Sequence, residues 1–140
     1  IASAGIPDPR IVEGAFTRDG GYVMMADLIG SDERFRSGDL PVSERPCVFC
    51  VNDVMALGAI SAVRDAGLSV PEHVAGAGFD DIPDAAHFWP PLTTVRQDFT
   101  ELGRRCVDLL LGPADGVEPA PTTIVPELVV RRSSGPAARI

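Results

Sequence analysis

Apolar residues along this chain fall into short unbroken runs separated by stretches in which they recur at helical spacing. Cys47-Val48-Phe49-Cys50-Val51 and Val74 to Phe79 are continuous apolar or small segments, the pattern of strands buried in an α/β protein. Between them, Val54, Met55, Ala56, Leu57, Ala59, Ile60, Ala62 and Val63 cover most of a helix that Asn52 or Asp53 caps and Gly67 stops. Its polar stripe consists of Gly58, Ser61, Arg64 and Asp65 alone, so it carries more apolar surface than one sheet contact needs. Upstream, Ile11 to Phe16 reads as another strand, and from Asp19 the period turns helical through Tyr22, Met25, Ala26 and Ile29. Downstream, Leu92 to Arg96 is extended. Asp98 then opens an amphipathic helix, with Glu101 as capping partner, Leu102, Cys106, Leu109 and Leu110 on one face, and Gly112-Pro113 as the stop. Thr122 to Arg131 is strand-like despite Pro126, and residues 133–140 read as a disordered tail. Strand alternating with helix predicts an α/β fold, a parallel sheet with helices on both faces.

Composition narrows the class. With 140 residues, 45% of them apolar and 23% charged, the chain is one domain's worth of ordinary globular protein, and it holds no apolar run of about 18 residues. The net charge is -8, and every fixed positive charge is an arginine. An acidic body repels phosphate, so this piece is not expected to bind DNA by itself. Cys47-x-x-Cys50 has redox-motif spacing, but it lies inside an apolar run, and no histidine or cysteine set completes a metal site. Buried structural thiols are expected, with no metal and no cofactor. Gly76-x-Gly78 lies within a strand and lacks the third glycine of a dinucleotide fingerprint.

The chemistry concentrates at strand ends. Phe16, Asn52 and Asp80 stand at or just beyond the carboxyl ends of three predicted strands, and Gln97 follows a fourth extended segment. Open α/β sheets bind ligands at that edge, where helix N-termini and strand ends leave polar groups facing a crevice. A carboxylate, two amides and an aromatic face suit a small polar ligand such as a sugar. Each residue also has a local reading: Asn52 as a helix cap, Phe16 as core, Phe99 as a helix-start staple. His73 and His87 have no nucleophile placed beside them, and Asp80 and Asp81, neighbours on an extended chain, point apart, so catalysis is not expected.

Gly78-Phe79-Asp80-Asp81, Pro90-Pro91-Leu92-Thr93-Thr94-Val95 and Gln97-Asp98-Phe99 combine with Asn52-Asp53-x-Met55-Ala56-Leu57-Gly58-Ala59 upstream. In order and spacing this set resembles the lactose-repressor/galactose-repressor (LacI/GalR) family of transcription regulators, from about residue 5 to about residue 133. The resemblance implies one lobe of a periplasmic-binding-protein-like effector module in a cytoplasmic, sugar-responsive homodimer. Residues 1–132 would be its carboxy-terminal subdomain, and the helix within 97–113 would cross to the other lobe. The first half of the module and the operator-binding domain would lie outside this chain. On the matching positions, Phe16, Asn52, Asp80, Gln97 and Phe99 would contact the effector. A periplasmic sugar receptor of a transporter shares the fold and is the alternative. The surplus apolar face of the Asp53 helix, beside the aromatic turn Phe88-Trp89, points to a homodimer interface through Met55, Leu57, Ile60, Phe88 and Trp89.

Overall fold

A computed structural model describes residues 9–37, 40–112 and 123–135. Helix α1 (Arg18–Ser31) starts where the Thr17 hydroxyl accepts from Gly20 N, and the short α2 (Glu33–Arg36) starts likewise on the Asp32 carboxylate. Strand β1 (Cys47–Phe49) leads into α3 (Asp53–Asp65), whose cap is Asn52: its side-chain oxygen accepts from Met55 N at 2.7 Å. Strand β2 (Ala75–Asp80), a 3₁₀ turn at Pro83–His87, strand β3 (Thr93–Arg96), helix α4 (Phe99–Leu111) and strand β4 (Glu127–Val129) follow. The sheet runs β1-β2-β3-β4, with the first three strands parallel and β4 antiparallel to β3. The α/β class with a mostly parallel sheet is therefore as the alternation predicts.

The core lies between the sheet and the α1–α3 layer. Val48, Gly78 and Thr94 look toward α3, and Met25, Ile60, Val63, Val74 and Leu92 fill the space between. Residues of the opposite parity fare differently: Cys47, Phe49 and Leu128 are exposed, and Ala77, Phe79 and Val95 are only half-buried. Among the described residues that face is largely open, whereas the sequence pattern predicts helices on both. No residue of α4 is buried, and no described helix is long and apolar enough to cross a membrane.

Four further expectations are corrected. Ile11 to Phe16 forms no strand, and Ile11 and Phe16 are 86% and 73% exposed; an extended segment becomes a strand only against a hydrogen-bonding neighbour, and none stands there among the described residues. Cys47 and Cys106 are exposed, leaving Cys50 as the one buried thiol. The disordered tail does not begin at Ser133, which is fully buried, donates to Gly76 O at 2.7 Å and accepts from Thr93 N at 2.8 Å. Residues 136–140 of that expected tail lie outside the described residues.

Gly58 is the fourth correction. It is not part of a solvated stripe but buried where α1 crosses α3, so close that an added Cβ would run into Arg18 O and stand 2.8 Å from Tyr22 N. Gly21 meets the backbone of Met55 in the same way from the other helix. The two backbones thus touch directly, and α1 covers much of the apolar surface that α3 does not spend on the sheet. Helix propensity alone predicts that Gly58→Ala stabilises by about 1 kcal/mol. The obstruction here is backbone, which has no rotamer to escape into, so we expect Gly58→Ala to destabilise by about 1–3 kcal/mol. A urea midpoint that rises in this variant would contradict the close crossing.

Candidate functional site

Three parallel strands deliver their following residues to one edge. Asn52 comes three residues after β1, Asp80 is the last residue of β2, and Gln97 follows the last residue of β3. The Asp80 and Gln97 side chains meet, Gln97 Nε2 donating to Asp80 Oδ1 at 3.0 Å. This bond leaves Gln97 Oε1 and the second Asp80 oxygen as acceptors. Asn52 spends its oxygen on the α3 cap, and its amide nitrogen remains as a donor.

Phe16 stands just before Thr17, the cap of α1. A Cβ on Gly14, two residues earlier, would stand 3.9 Å from Met55 Cε, so this segment runs beside the first turn of α3. Phe99 opens α4 and is 54% exposed. Its N–H donates to Gln97 O at 3.0 Å, so Phe99 is tied to the pair through the backbone, and the rings of Phe16 and Phe99 are both exposed.

Beneath the edge sits a carboxylate that sequence reasoning reduces to a possible cap. Asp53 has no exposed surface; its Oδ1 accepts from Thr94 Oγ1 at 2.6 Å and its Oδ2 from Ile82 N at 2.9 Å. It ties the start of α3 to β3 and to the loop after β2. Gly78 is glycine because a Cβ there would collide with Asp53 Oδ1 and press on Leu92 at 3.0 Å. Asp81 is held from two sides, by Arg131 Nη2 and Arg96 Nε at 2.7 Å each. Both Asp80 and Asp81 have positive φ, 111° and 54°.

The interface candidates separate in the same way. Ile60 and Phe88 are 5% and 8% exposed, taken up by the chain's own core, so they cannot form a free contact surface. Met55 and Leu57 are half-buried, and Trp89 is 69% exposed with the Arg132 guanidinium 5.6 Å above its ring. His73 accepts from Ser69 N at 2.9 Å, a capping role. The described residues contain no cluster of three His, Cys, Asp or Glu suited to a metal ion.

Residues 2–134 match the model of the periplasmic binding protein-like domain. The chain belongs to that family. Within it, this periplasmic binding protein-like domain is similar to the carboxy-terminal effector-binding region of LacI/GalR regulators. It is 41% identical over 128 residues to the HTH-type transcriptional repressor PurR of Haemophilus influenzae (strain PittEE), covering 88% of this chain and 35% of that repressor. It superposes on the lac repressor dimer bound to operator and the anti-inducer ONPF with a TM-score of 0.72 and 30% identity, covering 89% of this chain and 40% of that one. A LacI family transcriptional regulator from Arthrobacter sp. FB24 in complex with lactose gives a TM-score of 0.71 and 29% identity, over 86% of this chain and 42% of that one. The domain thus spans about a third of the PurR repressor's length. PurR and the lac repressor are transcriptional repressors, and the Arthrobacter protein is a transcriptional regulator.

The two buried carboxylates should titrate in opposite directions. Burial, reinforced by the charges of Asp80 and Asp81, pushes Asp53 above the ordinary value of 3.8 despite its hydrogen bonds. Burial also opposes the charge on Asp81, but Arg131 and Arg96 outweigh it and hold that carboxyl below 3.8. Asp81 therefore contributes stability above its unfolded pKa that is lost as pH falls through its lower folded value. Asp53 has the reverse sign, costing stability as pH rises through its raised folded value. Carboxyl ¹³C titration of the folded domain should place Asp53 above and Asp81 below 3.8. The opposite order would refute this electrostatic picture.

Proposed function

We propose that this chain is the effector-sensing lobe of a cytoplasmic transcription regulator, taking a small polar, sugar-like ligand at the edge formed by Asn52, Asp80 and Gln97. The observation that carries this reading is the bonded Asp80–Gln97 pair at the carboxyl ends of adjacent parallel strands, where among the described residues two acceptor oxygens stay unengaged, with Asn52 following the third parallel strand. Such a set matches neighbouring hydroxyls, which both donate and accept. Phe16 and Phe99, both exposed, would close apolar faces against the ligand. The lactose named with the Arthrobacter regulator supports a sugar.

In this reading α4 engages a second lobe. One side of it is locked by ion pairs of Glu101 with Arg104 and Arg105 and of Arg104 with Asp108, while Leu109, Leu110 and Leu111 stand exposed. Ligand closing two lobes on each other would change how they present an operator-binding domain, the usual logic of a population shift. A second copy would pack on the patch around Leu57, Met55 and Trp89, narrowed from the sequence expectation by the burial of Ile60 and Phe88.

Two measurements test this. In the full-length regulator, Asp80→Ala should weaken binding of lactose or another sugar from a mono- and disaccharide panel by about 1.5–3 kcal/mol while operator binding survives. Calorimetry in which no sugar binds the wild type, or in which Asp80→Ala binds equally well, would exclude the role. In sedimentation across concentration, the wild-type chain should associate and a folded Leu57→Glu, Trp89→Ala variant should not. A wild type that stays monomeric at high micromolar concentration would remove the dimer.

A further inference from the structure

The chain leaves β2 through two consecutive non-glycine residues of positive φ, Asp80 and Asp81. Such conformations cost about 1–3 kcal/mol each and persist only where neighbouring contacts over-determine them. Four contacts do so here. Asp81 N reaches Thr94 Oγ1 at 3.4 Å, Ile82 N donates to Asp53 at 2.9 Å, and the Asp81 carboxylate is gripped by Arg96 and by Arg131. The Arg131 grip differs in kind from the rest. Its Nη2 donates to Asp81 Oδ1 and its Nη1 to Leu92 O, both at 2.7 Å, so one planar guanidinium spans the turn and the base of β3. The Arg131 side chain is 16% exposed, against 48% for Arg96, which also reaches out to Glu127. The Arg131 backbone is itself anchored: its N–H donates to Thr93 Oγ1 at 2.8 Å.

We propose that Arg131 is a positioning residue for the binding edge: its bridge between Asp81 and the Leu92 carbonyl holds the Asp80–Asp81 turn and so sets where the Asp80 carboxylate meets Gln97. Arg131 lies beyond β4, in the segment that follows α4, the helix that the functional reading assigns to interlobe contact. The fork therefore makes the orientation of the Asp80 carboxylate depend on the seating of the segment that follows β4. The inference rests on that reading only in calling the edge a binding site; the turn and its fork stand without it.

The test uses the 140-residue chain without ligand, so its failure and the failure of the sugar reading are separable. Hydrogen exchange is followed at the Asp81 and Ile82 amides, with the α3 amides of Ala59 and Val63 as reference, and the Gln97 side-chain amide resonances report its bond to Asp80. Arg131→Gln should raise exchange at Asp81 and Ile82 by about tenfold or more with α3 protection retained, and should move the Gln97 signals toward free-amide positions. Arg131→Lys, keeping the charge but losing the fork, should fall between wild type and Arg131→Gln. Ser133→Ala, which loosens the same C-terminal segment without touching Asp81, should leave the Gln97 signals unchanged. The proposal is overturned by unchanged turn exchange in Arg131→Gln, by Ser133→Ala moving the Gln97 signals equally, or by protection lost uniformly across α3 and the turn in both Arg131 variants.

Discussion

The edge that carries Asp80 and Gln97 depends on a carboxylate that never meets solvent. Asp53 follows the cap of α3, and its two oxygens satisfy one donor from β3 and one from the loop after β2. Leaving an Asp in such a place is costly unless each oxygen finds a donor, and here the donors come from the two elements that carry Gln97 and Asp80. The same carboxylate excludes a side chain at position 78, so β2 must run as glycine past the start of the helix. Helix start, strand end and loop are thereby fixed by one group, and the Asp80–Gln97 bond forms on a platform already positioned.

A second contact layer acts through distance in the chain instead of burial in the core. Arg131 meets Asp81 across 50 positions of sequence, and Ser133 bonds Gly76 across 57. Both belong to the segment after β4, which wraps back along the β3 side of the sheet. The last described residues thus fasten both the middle of β2 and the turn after it.

What the sequence reveals about this molecule is set by how local the cause is. The cap at Asn52, the helix it starts, strand β2 and the cap at Asp98 are each decided within a few residues, and all are found close to where periodicity puts them. Asp80 and Gln97 were legible as strand-end polar groups for the same reason. Their direct bond, the burial of Asp53 and the fork of Arg131 were not, because each depends on which strands become neighbours. Gly58 misled because a glycine on an apolar helix reads equally as a polar-side gap or as a backbone contact, and only the partner helix distinguishes them. The expected strand at Ile11 to Phe16 had suitable residues, but a strand is a property of a pair.

The three cysteines give the domain an unplanned ruler. Cys50 is buried, and burial with the nearby Asp53 charge lifts its thiol to about 11, so at neutral pH it stays protonated and slow to react. Cys47 at the free edge of β1 and Cys106 midway along α4 are exposed. A thiol-directed spin label or dye pair would therefore attach to the sheet and to α4 without any engineered residue. The separation of the two labels would report where α4 lies relative to the sheet.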